Sequence, residues 1–210
     1  LEIRNMKIWV SLIIIYLGFF FWYTDLGGEL DSEEIDLFLE KLQENNSGLN
    51  SEMYESIKSF MENDSGKQFL MVNIIDIDED PEDVEGAEPG ESAESLLGRY
   101  MEHMYPQLFK RACHPVFAGK AVSTAMDIVG IEGAENWDQA ALMRYKSRRA
   151  FMEIVTHPDM FGKHEFKIAA LEKTIAYPVE VQIYPSDPRF ILGLVFLVFG
   201  LSLRLREIKK

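Results

Sequence analysis

Two uncharged apolar runs stand near opposite ends of this chain, and any fold must first find an apolar environment for them. Ile8 to Tyr23 reads IWVSLIIIYLGFFFWY, 16 positions without a charge. As a helix the run covers about 24 Å, a little short of a ~30 Å hydrocarbon core. Trp22 and Tyr23 close one end, where aromatic rings suit the headgroup layer, and Arg4 and Lys7 flank the other. A cleavable signal peptide is the competing reading, but no small-x-small cleavage site follows before Gly27, so an uncleaved anchor is expected. The second run, Phe190 to Leu203, reads FILGLVFLVFGLSL over 14 positions. Leu205 extends it past Arg204, whose long side chain can snorkel. A buried terminal helix or a re-entrant segment competes, but the uninterrupted apolarity and the basic tail favour a second span.

Charge asymmetry orients the pair. Arg4 and Lys7 precede the first run, and Arg204, Arg206, Lys209 and Lys210 follow the second. Between them, residues 24–188 hold 33 acidic residues against 14 Lys or Arg, a net of −19 within a chain of −14. Basic flanks stay cytoplasmic. Both termini are therefore expected in the cytoplasm of a bacterium, with the spans in the inner membrane and residues 24–188 in the periplasm. Arg189 sits against this rule. So acidic a chain lacks the Lys and Arg density that phosphate contacts need, so no nucleic-acid partner is expected. Hydrophobic residues at 47% exclude full disorder, and the lone Cys113 excludes an intrachain disulfide framework.

The intervening chain reads as a sequence of short elements. Asp31 or Ser32 caps a helix with Ile35, Phe38, Leu39 and Leu42 on one face. Asn45 to Gly48 is the turn, and a second helix follows Ser51 with Met53, Tyr54, Ile57, Phe60 and Met61 on one side. This helical hairpin needs an apolar partner, either the following domain or another subunit. Phe69–Ile75 is an apolar strand. Residues 79–91 form an acidic loop, and Ser92 caps a helix that Pro106 should kink or break. Phe117 to Ile128, Gln139 to Tyr145 and Val179 to Tyr184 are expected strands. Ser147 caps a helix that His157-Pro158-Asp159 interrupts and that resumes through Ile175. The order β-α-β-β-α-β is the ferredoxin-like split unit. The expected divisions are an anchor at 1–26, the hairpin at 27–66, the α+β domain at 67–187 and a second transmembrane helix with its tail at 188–210.

The stretch Trp137-Asp138, then LMRYKSRRAFMEIV, then His157-Pro158-Asp159-Met160, a helix and a last strand resembles a family of small dimeric α+β-barrel proteins. The resemblance is to an uncharacterised branch neighbouring the antibiotic-monooxygenase-like and EthD-like families, over about Phe69 to Tyr184. It implies that two four-stranded sheets pair into a barrel across a homodimer. The two anchors and the hairpin depart from that pattern, and no catalytic set comes with it.

Several groups invite chemistry. Aromatic Tyr100, Tyr105, Phe117, Trp137 and Tyr145 are candidates to line a cleft between sheet and helices, with Arg144 or His103 supplying polarity; ordinary core packing is the competing reading. Asp76, Asp78 and Asp80, followed by Glu82 and Asp83, have the start of a calcium-loop spacing. Pro81 and Ala87 stand where such a loop needs Gly and Glu, so a solvated acidic face, or one that binds a partner, is expected. His103, His114, His157 and His164 make no compact zinc pattern with Cys113, and the Cys113-His114 pair is weak evidence for an activated thiol. No metal and no cofactor is expected. The spans carry no ionisable residue for an ion path, while Ser11, Gly18, Gly193, Gly200 and Ser202 permit close helix contact.

The leading expectation is non-catalytic: an accessory or scaffold subunit of a larger membrane complex, anchored in lipid. Its acidic periplasmic domain would bind a basic partner, such as a c-type cytochrome. The alternative is a cofactor-independent oxygenase or isomerase, or a small-ligand carrier, using the barrel cleft.

Overall fold

The computed structural model describes residues 2–44 and 50–208. The expected turn at Asn45 to Gly48 lies outside the described residues, as do Lys209 and Lys210. The chain forms two compact units: Leu1–Leu26 with Val181–Lys210, and Gly27–Glu180.

The first unit is a pair of helices, α1 (Glu2–Tyr23) and α7 (Pro188–Ile208). Each extends beyond its charge-free run, to 22 and 21 residues, or about 33 and 31 Å of helix. Both are long and apolar enough to cross a membrane. Their contacts run antiparallel. A Cβ at Gly200 would stand 2.6 Å from the Trp9 ring, and one at Gly193 3.4 Å from the Tyr16 ring. These two glycines are therefore notches for aromatic rings of the same chain, whereas Gly18 faces open space. Gly200→Leu is expected to push Trp9 out of its notch. Tryptophan emission of the solubilised protein would then shift, and Gly18→Leu, as a control, would leave it unchanged.

Arg189, at the start of α7, is held by local partners. Its guanidinium bonds Asp187 at 2.6 and 3.0 Å, donates to Thr24 Oγ1 at 3.0 Å and lies 5.4 Å from the Tyr23 ring centroid. The neighbouring carboxylate of Asp187 thus balances its charge locally.

The second unit begins with α2 (Ser32–Glu44) and α3 (Ser51–Glu62). Asp31 caps α2 reciprocally with Glu34: Oδ1 accepts from Glu34 N at 2.9 Å, and Asp31 N donates to Glu34 Oε2 at 3.2 Å. Asn50 caps α3, its Oδ1 accepting from Met53 N at 2.8 Å. The remaining elements are β1 (Phe69–Ile77), α4 (Ala93–Lys110), β2 (His114–Lys120), β3 (Gln139–Tyr145), α5 (Arg148–Val155), α6 (His164–Ala169) and β4 (Leu171–Glu180). A 3-10 turn at Pro158–Met160 separates α5 from α6. The four strands form one antiparallel sheet in the order β2-β3-β1-β4, which is the ferredoxin-like arrangement, in an α+β fold.

Three sequence expectations are corrected. α4 does not break at Pro106 but runs on to Lys110. Glu102, whose carbonyl loses its partner at the proline, and Pro106 are both on the exposed side, where water can satisfy that carbonyl. β2 stops at Lys120 instead of reaching Ile128, because pairing with β3 ends at Lys120↔Gln139. The helix after the 3-10 turn ends at Ala169, and the last strand is Leu171–Glu180 rather than Val179 to Tyr184. Leu171, Lys173, Ile175, Tyr177 and Val179 alternate at period two, and the ladder to β1, from Ile77↔Leu171 to Phe69↔Glu180, overrides helical propensity.

The core lies between the sheet and α4 and α5. Phe69, Tyr145, Met104, Leu108, Cys113 and Ile154 are buried together there. The hairpin brings its own cluster, Ile35, Phe38, Leu39, Leu42 and Met61, which closes on Met152 of α5. The partner that the hairpin needs is therefore the α+β domain itself. Outside the core, Arg99 Nε meets Glu91 Oε1 at 2.6 Å, and Ser95 Oγ shares that oxygen. The Arg99 bond, then Ser95, holds the Glu91 carboxyl down to about 2. A carboxyl lowered in the fold stabilises above its ordinary pKa and loses that contribution as pH falls through the folded value. NMR titration is expected to place the Glu91 midpoint near 2, and Arg99→Ala to return it toward about 4.3.

Candidate functional site

Strand register separates two faces of the sheet. Phe69↔Tyr145 and Met71↔Met143 point at the helices, so the alternate positions point away. On β1 those are Leu70, Val72 and Ile74, paired to Val179, Tyr177 and Ile175 on β4. On β3, Leu142 and Ala140 continue the face, and a register shift between Pro115 and Phe117 sets Phe117 of β2 opposite Leu142. The Phe117 ring lies along Gly119, where a Cβ would come within 2.9 Å of it. Phe117 and Tyr177 are exposed although both sit within strands. Among the described residues of this unit no helix lies on this apolar face, since α4 and α5 take the other.

Each end of the face is closed by a cation. At one end Lys173, paired to Asp76 in the ladder, reaches its Oδ2 at 3.1 Å and donates to Gly133 O at 2.6 Å. Its ammonium also lies 5.1 Å from the Trp137 ring centroid. At the other end Arg144, fully buried, donates to Gln68 Oε1 at 2.8 Å and to Ala112 O at 2.7 Å. Ala112 has φ 54°, the left-handed region that a β-carbon disfavours, and its position ends α4 with Cys113 N bonded to Leu108 O. Arg144 thus pins a strained turn.

The five cleft candidates are accordingly not one cleft. Tyr100 and Tyr145 both reach the main core, where burial pushes the Tyr100 hydroxyl up to about 12 and also raises that of Tyr145 well above its ordinary value. Tyr145 stacks on Phe69 at 5.2 Å, and Tyr100 meets His164 edge-on at 6.2 Å. His103 lies half-buried on α4, Trp137 stands by Lys173, and Arg144 holds the turn. Of the other aromatics considered, Tyr105 stacks on Phe109 on the exposed side of α4. A cleft of about 60 Å³, lined by Phe60, Lys67, Gln68, Arg148 and Glu180 among others, holds none of these candidates, and it is far below the ~300–1,000 Å³ of ligand sites.

The acidic candidates also scatter. Asp76 pairs with Lys173, Asp78 Oδ1 accepts from Asp80 N at 2.9 Å, and Asp83 Oδ1 accepts from Gly90 N at 2.9 Å; Glu82 is exposed. Among the described residues, no group of three His, Cys, Asp or Glu side chains is placed to hold a metal ion. Cys113 is buried, and that burial pushes its thiol up, away from the reactive thiolate.

Sequence reasoning missed the role of the basic turn after β3. Arg148 reaches Asp64 Oδ1 at 3.5 Å, donates to Phe60 O, and lies over the Phe60 ring. Arg149 grips both Glu34 oxygens, at 2.6 and 2.9 Å, and donates to the Gly28 and Glu29 carbonyls. Two adjacent arginines cannot be paired with Asp64 and Glu34 from spacing alone, because these partners lie 84 and 115 positions away.

No family model matches the chain, and no curated protein is similar to it. Among solved structures, a protein of unknown function from Rhodopseudomonas palustris is similar at 18% identity, covering 65% of this chain and 96% of that one with a TM-score of 0.51. Its methylated form gives 0.52 over 66% and 96%. A dimeric ferredoxin-like protein of unknown function from Jannaschia sp. CCS1 is a more distant likeness, at 13% identity, 54% and 99% coverage and a TM-score of 0.35. Likeness at such identity speaks to fold alone, and the fold it speaks to is the one the strand order already defines.

Proposed function

We propose that this protein is a non-catalytic, membrane-anchored scaffold or accessory subunit that dimerises through the open sheet face and presents an acidic domain to a basic partner. The observation that carries the reading is the helix pair: in both apolar helices only 6% of the spanning window is buried within the chain. Apolar surface left so bare needs lipid or another membrane protein around it. The basic flanks favour a topology with both termini in the cytoplasm and residues 24–188 in the periplasm. The bare apolar sheet face suits a second copy, and the net −19 of residues 24–188 suits a cationic protein. The dispersal of Tyr100, His103, Trp137, Arg144 and Tyr145 gives the enzymatic alternative no support.

Carbonate washing and protease treatment of spheroplasts test the anchoring. The protein is expected to stay in the membrane, with the 24–188 region cleaved only from outside. Release by carbonate, or protection of that region, overturns the reading. Salt tests the partner: capture from the membrane fraction should weaken steeply between low and physiological ionic strength.

A further inference from the structure

The connection between β2 and β3, residues 121–138, is long for a hairpin and is an ordered arm. Its limbs are tied by Ala121 N to Asp138 O at 2.7 Å and by Ala125 N to Glu135 O at 2.8 Å. Its root is fastened to the sheet: Asp138 N donates to Ile75 O at 3.0 Å, Asp138 Oδ2 accepts from Ile77 N at 2.7 Å, and Lys173 holds Gly133 O. One limb is thus anchored, with Ala134 buried, while the other carries bare apolar side chains. Val122 is 100% exposed, Met126 98%, Val129 86% and Ile131 54%. Water solvates such a set at a cost that only a covering surface removes.

We infer that this arm clasps a second copy of the chain, completing the interface that begins on the open sheet face. The inference rests on the dimer reading above. Two arguments select this occupant. The first is area. Four strands ~4.8 Å apart and about seven residues long at ~3.3 Å give a face of about 440 Å². A stable interface buries ~800 Å² per partner, so the sheet alone falls short. Each fully exposed arm residue offers on the order of 100 Å² of apolar surface, which brings the total near that size. The second is charge and continuity. The arm springs from β2 and β3, two of the strands that form the face. It carries Asp127, Glu132, Glu135 and, at its root, Asp138, and no Lys or Arg, so an anionic lipid surface repels it. The sheet face presents no such repulsion, because Asp76, at its end, is paired with Lys173.

The full chain in mild detergent provides the test. Replacing Val122, Met126 and Val129 together with Ser is expected to raise the dimer dissociation constant tenfold or more, while the circular dichroism spectrum stays unchanged. A photoreactive benzoylphenylalanine in place of Met126, irradiated in native membranes, is expected to give a covalent species of twice the chain mass. Wild-type dimer affinity in the serine variant overturns the arm while leaving the dimer reading intact if Leu142→Asp still dissociates the protein. Cross-linking to lipid alone also overturns the arm. A wild-type chain that is monomeric throughout overturns both.

Discussion

Phe69→Ala is expected to destabilise the α+β unit by about 3–5 kcal/mol, the cost of deleting a buried aromatic ring from a packed core. Phe69 is 4% exposed and sits where four rings meet. Its ring stacks on Tyr145 at an interplanar angle of 14°, and meets Phe60 at 5.4 Å and Phe151 at 5.9 Å edge-on. Those rings come from β1, β3, α3 and α5, so the cavity would touch the hairpin as well as the sheet. Against a typical domain stability of ~5–15 kcal/mol, the loss is large. Urea unfolding of the detergent-solubilised protein, followed by near-ultraviolet circular dichroism, measures it. Tyr105→Ala, on the exposed side of α4, is the control and should cost less than about 1 kcal/mol.

The second large effect is expected from Asp64→Ala. The Asp64 side chain is 1% exposed and pairs with Arg148. It also accepts from Leu30 N at 3.0 Å and from Gly66 N at 3.1 Å. Removing it strands a cation and two donors, and breaking such a buried pair costs about 3–5 kcal/mol. The consequence is local: the hairpin, held by Arg148 and Arg149, should open before the sheet. Limited proteolysis should then cut residues 27–66 first, and hydrogen exchange should rise there. Equal protection of hairpin and sheet in the variant would contradict this assignment. Acid should act at the same junction. The Arg149 hydrogen bond holds the Glu34 carboxyl below its ordinary value, against the opposing effect of burial. The pair therefore stabilises above that ordinary value, and its contribution disappears as pH falls through the lowered one. In Arg149→Ala, hairpin protection should depend less on pH across that acidic range.

How much was legible follows from the range over which each interaction acts. Ser92 and Ser147 cap helices where their types and positions imply, and Gln139–Tyr145 is a strand with the expected ends. These are local matters of backbone satisfaction and side-chain alternation. LEKTIAYPVE misled because its apolar residues fit both a helix continuing from Phe166 and a strand. Only the ladder to β1, whose residues lie about 100 positions earlier, decides between them. In the same manner Arg144 and Trp137 read as cleft polarity and cleft lining, yet Arg144 pins a turn at one end of a sheet face and Trp137 stands beside the Lys173 that closes the other.

What the amino-acid order determined unaided is therefore the pattern of local periods and the segregation of charge: two oily helices, an acidic stretch between them, and helices and strands in the order of a split βαββαβ unit. What tertiary structure alone decided is which apolar surfaces remain bare. The hairpin closes on Met152, Tyr100 and Tyr145 sink into the core while Tyr105 and Phe117 stay exposed, and the open sheet face with its arm stays uncovered. Periodicity shows that a residue has an apolar side. It does not show whether the same chain supplies the surface that covers it, because that depends on contacts between residues far apart in sequence.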